Sequence, residues 1–164
     1  MIIIKDLLDV ELISDIYNLY ENSTNSVIID GKKRDRYSLP PWGVFLLSKF
    51  TYDECKFVWD NIKDKLEGYK PEVFKMLKYK RNHYLPKHID VSKSGDNPTN
   101  ASLIIQLSNP DYYSGGEAIV GNQIVELKQG DGVIYSYGEE HEVKKVTKGT
   151  RFVMNIRVYK DGNI

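Results

Sequence analysis

The spacing of hydrophobic residues predicts helices in the first part of the chain. Apolar side chains recur at helical spacing from Leu12 to Tyr20 and again from Cys55 to Leu66. Thr51 stands where the second helix needs an N-cap, and Gly68 stands where it must stop. Between the two helices, residues 44–50 form an apolar run that fits a strand. We therefore expect two amphipathic helices that each bury one face.

The pattern changes to that of β-strands from residue 73 onward. Short apolar or alternating runs are bounded by turn residues, and Gly121-Asn122 between two such runs is typical of a tight hairpin. The predicted strands lie near residues 74–79, 83–91, 101–108, 117–120, 123–127, 132–137, 141–146 and 150–159. Many short strands after two helices indicate an α+β fold, namely a double-stranded β-helix (jelly roll) with the N-terminal helices packed on one sheet. We expect a single domain over residues 1–164, with 1–73 as helical support and 74–159 as the jelly-roll core.

The last predicted strand has two chemically different faces. Alternation places Arg151, Val153, Asn155 and Arg157 on one side, and it places the apolar side chains of Phe152, Met154, Ile156 and Val158 on the other. The second face suits packing under helices. The first face is polar enough to line a pocket.

Composition narrows the classes of partner and compartment. The 164 residues carry a formal net charge of zero, so no overall field attracts nucleic acid or an anionic membrane, and we expect no stable nucleic-acid partner. The single cysteine, Cys55, excludes an internal disulfide and fits a reducing compartment. The apolar run at the start is short and broken by charges, which fits neither a signal peptide nor a membrane span. We expect a soluble, intracellular (cytoplasmic) protein, and the sequence leaves the oligomeric state open.

A histidine and a carboxylate stand two residues apart in His88-Ile-Asp90. In an extended backbone these side chains point to the same face, so one metal ion could accept both. The histidine downstream of them is His141. Non-haem Fe(II) oxygenases bind their metal through two imidazoles and one carboxylate and leave the other coordination positions of the ion open. The competing interpretation of His88 and Asp90 is a hydrogen-bonded pair without a metal.

Further residues stand in a recognisable order around these three. Arg151 follows His141 by ten residues in a Val-x-x-Gly-x-Arg context, and Tyr79 precedes His88 by nine. The segments Ser102–Glu117, which ends in Gly-Gly-Glu, and Lys128–Ile134 complete the pattern. Over residues 75–159 the chain resembles the 2-oxoglutarate/Fe(II) dioxygenases, in particular the prolyl 4-hydroxylase-like branch.

The resemblance implies a cofactor set and a role for each residue. Fe(II) would be held by His88, Asp90 and His141, and the distal carboxylate of 2-oxoglutarate by Arg151. A buried guanidinium can bind a carboxylate through two hydrogen bonds, as this role requires. Tyr79 would donate its hydroxyl to the cosubstrate, although an aromatic residue of the β-core fits nearly as well. The implied reaction uses O2, with ascorbate as reductant, to hydroxylate a C–H bond, with peptidyl proline in a peptide or protein as the favoured substrate.

Two other functions stay open from the sequence. Arg157 stands where the prolyl hydroxylase-like pattern usually has an aromatic residue, and an arginine pair six residues apart resembles the AlkB-type nucleic-acid demethylases. The third candidate is a non-catalytic, cupin-like metal- or ligand-binding module.

The loop Ser92–Asn100 could act as a lid over the substrate, and the basic run from Lys32 to Arg36 is most simply a solvated loop. We assign no metal role to His83 and a packing role to Cys55.

Overall fold

Two helices and a series of antiparallel strands make up the structure, a computed structural model that describes residues 1–23, 28–29, 32–33, 35–90 and 100–160. The helices are α1 (Val10–Asn22) and α2 (Tyr52–Ile62), and a short 3-10 turn at Lys63–Lys65 follows α2. The strands are β1 (Ile2–Ile4), β2 (Ile28–Ile29), β3 (Lys32–Lys33), β4 (Asp35–Ser38), β5 (Phe45–Phe50), β6 (Tyr69–Tyr79), β7 (Leu85–His88), β8 (Ala101–Gln106), β9 (Ser114–Gly115), β10 (Ala118–Val120), β11 (Gln123–Val125), β12 (Gly132–Ser136), β13 (His141–Val143), β14 (Val146–Lys148) and β15 (Arg151–Lys160).

Most of the strands belong to a large and a small sheet that share an apolar core, and two further pairs, β14-β9 and β2-β3, stand apart from them. Within the described residues the large sheet has the order β1-β12-β8-β15-β6-β5-β4, and the small sheet has the order β11-β10-β13-β7. Buried side chains of both sheets meet between them, among them Leu77 and Val153 of the large sheet and Val143 of the small one. This arrangement confirms the predicted double-stranded β-helix.

The other face of the large sheet is covered by the two helices. Ile13 and Ile16 of α1 and Val58 and Ile62 of α2 belong to one buried cluster with the alternate residues of β15, from Phe152 to Val158. The alternation predicted for the last strand is therefore confirmed: one face packs under the helices and the other turns toward the small sheet. Burial of Cys55 in the same cluster confirms its packing role.

Local sequence signals account for the ends of α2. The Thr51 side chain accepts a hydrogen bond from the Glu54 backbone N–H, and the Glu54 side chain accepts one from the Thr51 N–H, which is a capping box. Gly68 has a φ of +85°, a conformation that glycine adopts without steric cost. The α-helix ends at Ile62, earlier than predicted, because the chain tightens into the 3-10 turn before Leu66.

The N-terminal part of the chain is not only a helical support. Its strands β1, β4 and β5 belong to the large sheet, and β1 pairs with β12 in antiparallel register. Periodicity alone missed β1 and β4, because three or four residues are too few to display an alternation. The proposed lid residues 92–99 and Arg34 of the basic run lie outside the described residues. No helix within the described ranges is long and apolar enough to cross a membrane.

Candidate metal and cosubstrate site

Three potential metal ligands from two distant segments of the chain converge at one end of the small sheet. His88 is the last residue of β7 and His141 the first of β13, and the two are direct cross-strand partners. Asp90 follows β7, and its Oδ1 atom lies 3.5 Å from the Nε2 atom of each histidine. One ligand atom from each residue lies within 4.8 Å of the other two. The structure thus brings together the three residues that the sequence nominated.

Backbone carbonyls fix the orientation of both imidazole rings. The Nδ1 atom of His88 lies 2.7 Å from the carbonyl oxygen of Pro86, and that of His141 lies 3.1 Å from the carbonyl oxygen of Glu139. Because each Nδ1 donates its hydrogen to a carbonyl, each Nε2 is left to present its lone pair to a metal. Sequence reasoning could not identify these orienting groups, since they are main-chain atoms.

Hydrogen bonds keep the Asp90 carboxylate ionised and in place. Burial works against the charged form, but the neighbouring His141 and His88 rings and the hydrogen bond from Ser102 outweigh it and hold the pKa of Asp90 well below its usual range. Conversely, the nearby Asp90 carboxylate raises the pKa of His88, because it favours the protonated ring. The Asp90 backbone N–H also donates to the carbonyl oxygen of Tyr137, at 3.1 Å. The negative charge that a cation needs is therefore built into the fold.

Arg151 and Tyr79 form a second pair deeper in the structure. They are cross-strand partners on β15 and β6, and only 4% of Arg151 and 1% of Tyr79 is exposed. The guanidinium carbon of Arg151 lies 5.2 Å from the centre of the Tyr79 ring, which also stacks on Phe45. Burial raises the pKa of Tyr79 to about 12, although Arg151 opposes the rise, so the hydroxyl keeps its proton. Within the described part of the chain, no carboxylate forms an ion pair with this buried cation.

One cavity connects the two groups. Its volume is about 170 Å³, and His88, Asp90, His141, Tyr79 and Arg151 all contribute to its wall. The remaining wall is mainly apolar and comes from both sheets: Phe45, Leu47, Leu77, Leu85, Ile104, Ala118, Val120, Leu127, Val133, Tyr135, Val143 and Val153, with Lys75, Glu142 and Asn155 as its other polar members. A small molecule that ligates a metal at one end and carries an anion at the other matches this distribution of groups.

The turn before β10 fits around the arginine. Gly115 and Gly116 have φ values of +74° and +69°, so both need the conformational freedom of glycine. A side chain at Gly116 would lie 3.3 Å from the Arg151 side chain and 2.9 Å from that of Val146. The absence of a Cβ at Gly116 therefore leaves room for the Arg151 side chain.

The other residues considered from sequence lie elsewhere. His83 accepts a hydrogen bond from the Lys80 backbone N–H and contacts the Tyr37 ring, and it is not among the three clustered ligands. Arg157 lies over the Tyr137 ring and 3.3 Å from Glu72. Sequence reasoning did not single out Ser102, whose hydroxyl donates to Asp90, nor Tyr135 beside it. The only signal for Ser102 was a small hydroxyl residue within an otherwise apolar strand.

The chain is similar in sequence to a known family of oxygenases and to hydroxylases within it. A family model described as the 2OG-Fe(II) oxygenase superfamily matches residues 74–159, just over half of the chain. A PKHD-type hydroxylase of Maricaulis maris is 37% identical over 68 residues, which are 39% of this chain and 31% of the relative. The chain thus spans less than a third of the length of the curated relatives it matches first.

Solved structures resemble the whole fold at low sequence identity. The viral collagen prolyl hydroxylase of Paramecium bursaria Chlorella virus-1, in complex with 2-oxoglutarate, has a TM-score of 0.70 at 16% identity, covering 97% of this chain and 95% of that one. A prolyl hydroxylase of Trichoplax adhaerens, in complex with a peptide fragment of the hypoxia inducible factor oxygen degradation domain, has a TM-score of 0.67 at 16% identity, covering 98% and 83%. At such identities the likeness concerns the fold.

Proposed function

Because the chain belongs to the 2OG-Fe(II) oxygenase superfamily, we propose that it is a 2-oxoglutarate- and Fe(II)-dependent oxygenase that hydroxylates a C–H bond of peptidyl proline. One observation carries the proposal: His88, Asp90 and His141 converge within 4.8 Å and share a cavity with the buried Arg151. An anionic cosubstrate that chelates a metal requires a metal-binding group and an anion-binding group in one cavity.

The donor set fits Fe(II). Two neutral imidazoles and one carboxylate on adjacent sides of the ion are the ligands that non-haem Fe(II) oxygenases use, and they leave further positions open. His88, Asp90 and His141 would hold the metal through Nε2, Oδ1 and Nε2. When bound together, Fe(II), 2-oxoglutarate and O2 supply the oxidising power for hydroxylation, and the cosubstrate leaves as succinate and CO2.

Arg151 and Tyr79 would bind the far end of 2-oxoglutarate. The Arg151 guanidinium offers several N–H donors in one plane, and a carboxylate accepts two of them at once. Tyr79 contributes a protonated hydroxyl beside it. Burial of both residues strengthens these contacts, because water does not compete and the local dielectric is low. The 2-oxoglutarate carboxylate would also neutralise the positive charge of the buried Arg151, which no carboxylate of the described residues neutralises.

The apolar wall has a separate role. Phe45, Leu47, Leu77 and Leu85 belong to the wall of the cavity that the metal ligands and Arg151 share. Such a surface excludes water from the reacting groups and accepts the apolar ring of a proline. A peptide substrate is supported by the fold, since similar structures include a collagen prolyl hydroxylase and a prolyl hydroxylase with a bound peptide. Ascorbate as reductant stays a prediction from the resemblance alone.

The two competing functions have less support. A demethylase would use the pair of Arg151 and Arg157 toward the cosubstrate, but the contacts of Arg157 are with Tyr137 and Glu72. The net charge of zero also gives no general attraction to nucleic acid. A module that binds only a metal would not need the buried Arg151 in the metal cavity, and a ligand-binding module without turnover would form no succinate.

A binding measurement followed by a turnover measurement tests the proposal. Calorimetry should detect 2-oxoglutarate binding with Mn(II), a redox-silent substitute for Fe(II), and much weaker binding without metal. With Fe(II) and O2, a proline-rich peptide should gain one oxygen atom while succinate forms in equal amount. The same peptide with alanine in place of proline and a methylated oligonucleotide serve as controls. Succinate formed only with the oligonucleotide would point to the demethylase, and no metal-dependent binding would refute the oxygenase.

A further inference from the structure

We propose that Ser102 is a positioning residue that makes Asp90 bind the metal through a single oxygen, and that Tyr135 supports Ser102 in this role. The inference rests on the proposed function, and it concerns residues on β8 and β12 that lie behind the ligands. It assigns different tasks to the two oxygen atoms of one carboxylate.

The geometry already distinguishes those two oxygens. Oδ1 of Asp90 lies 3.5 Å from Nε2 of both histidines, so it faces the space where the ion would sit. Oδ2 accepts a hydrogen bond of 2.9 Å from the Ser102 hydroxyl. Because Ser102 is buried, water does not compete for this bond, and the carboxylate cannot turn without leaving a buried hydroxyl unpaired.

The position of Ser102 is rigid. Its strand β8 lies between β12 and β15 in the large sheet, and Ser102 has Tyr135 and Arg157 as its cross-strand partners. A hydroxyl in the middle of a sheet is held by backbone hydrogen bonds on both sides. It is therefore a better fixed point for Asp90 than a loop residue would be, since Asp90 itself follows the end of β7.

Tyr135 connects Ser102 to a second metal ligand. It is buried, it is the direct cross-strand partner of Ser102, and its ring centre lies 4.8 Å from that of His141. The Ser102 hydroxyl has one hydrogen, which it donates to Asp90, so Tyr135 would donate to the Ser102 oxygen. One tyrosine thus restrains both the hydroxyl that holds Asp90 and the ring of His141.

Single-oxygen binding matters because coordination positions are few. An ion with three protein ligands keeps about three adjacent positions, which a chelating cosubstrate and O2 together require. If Asp90 bound through both oxygens, it would occupy one of these positions. The Ser102 hydrogen bond withdraws Oδ2 from the metal and keeps that position open for 2-oxoglutarate. Loss of the Ser102 hydrogen bond should change the metal affinity little, because Ser102 is not a ligand and the three ligands stay the same.

The test compares two binding constants in the full chain. Ser102→Ala should bind Mn(II) about as tightly as wild type, whereas its Mn(II)-dependent affinity for 2-oxoglutarate should fall roughly ten-fold or more, the lower end of the losses in metal affinity or activity that follow removal of a group behind a metal ligand. Tyr135→Phe should show the same split to a smaller extent. The matched control is Ser136→Ala, which removes an exposed hydroxyl on the neighbouring strand β12 and should change neither constant.

The possible results separate this inference from the proposed function. If wild type shows no metal-dependent 2-oxoglutarate binding, the proposed function fails and the inference fails with it. If wild type binds and Ser102→Ala binds equally well, only the role of Ser102 is refuted. If Ser102→Ala loses Mn(II) and 2-oxoglutarate affinity in parallel, with a lower midpoint of thermal unfolding, Ser102 is merely structural and the inference is again refuted.

Discussion

His88 and His141 lie directly opposite each other on β7 and β13, with their ring centres 4.2 Å apart. The antiparallel pairing of these two strands creates the candidate metal site, because it joins a His-x-Asp segment to a histidine from a distant part of the chain. Asp90 then lies within reach of both rings. The site therefore depends on strand register as much as on the identity of its ligands.

Replacing His141 should abolish tight metal binding. His141→Ala removes one of the three donors and leaves Asp90 with one imidazole beside it. We expect Mn(II) binding measured by calorimetry to disappear or weaken by orders of magnitude, while the midpoint of thermal unfolding stays close to that of wild type. The control is His83→Ala, since His83 lies outside the cluster and should bind Mn(II) normally. Stoichiometric Mn(II) in His141→Ala would remove this residue from the ligand set.

Replacing Arg151 should weaken 2-oxoglutarate binding without affecting the metal. Charge-assisted hydrogen bonds contribute about 1.5–3 kcal/mol, so Arg151→Ala should raise the dissociation constant roughly ten- to one-hundred-fold. Mn(II) affinity should be unchanged, because Arg151 is not a ligand. Calorimetric titration of both ligands measures the two effects separately.

Arg157→Ala is the comparison variant for Arg151→Ala. Its contacts with Tyr137 and Glu72 predict little effect on 2-oxoglutarate affinity. An equal loss in the two arginine variants would contradict this expectation and favour the arginine pair of the demethylases. No loss in Arg151→Ala would refute its role as the carboxylate anchor.

A side chain at Gly116 should disturb the anion-binding end of the cavity. Gly116→Ala costs about 1–2 kcal/mol from its positive φ, and its Cβ would press on Val146 and Arg151. We expect both lower stability and weaker 2-oxoglutarate binding. Gly68→Ala is the matched control, because Gly68 also has a positive φ but no neighbouring atom within 4 Å of where a Cβ would lie. It should lose stability while 2-oxoglutarate affinity stays normal, and equal binding losses in both variants would contradict the steric argument.

Asp131 should make stability depend on pH at the acidic end. It is 1% exposed and accepts hydrogen bonds from the backbone N–H groups of Asp6 and Lys128, at 2.9 and 3.0 Å. Burial opposes its ionisation, but these donors and Lys5 hold the pKa of Asp131 below its ordinary value. A carboxylate with a lowered folded pKa stabilises above its unfolded pKa of about 3.9, and the contribution is lost as the pH falls through the folded pKa.

Asp131→Asn should therefore cost stability at neutral pH. The asparagine amide has one oxygen, whereas the Asp131 carboxylate accepts hydrogen bonds through both of its oxygens. About 1–3 kcal/mol should therefore be lost from the free energy of unfolding. Urea unfolding at several pH values would measure it, and the gap to wild type should narrow in acid. The exposed Asp60, paired with Lys56, supplies the control Asp60→Asn, which should unfold as wild type does. A gap that is unchanged at low pH would show that the charge of Asp131 is not responsible.

Local patterns in the sequence predicted most elements and the identity of the candidate ligands. Helical spacing located α1 and α2, Thr51 marked the start of α2, and alternation separated the two faces of β15. These features are readable because helix and strand periodicity act over a few neighbouring residues. The short strands β1 and β4 escaped prediction, since their place in the sheet is decided by their partners β12 and β5.

The sequence by itself determined which donor groups are present and that His88 and Asp90 point the same way. Only the tertiary structure decided that His141 pairs with His88, that Arg151 faces Tyr79, and that Pro86 and Glu139 orient the rings through their carbonyls. It also decided that Ser102 reaches Asp90. The physical reason is that these contacts depend on the register between strands far apart in the chain, and burial of the whole core sets that register.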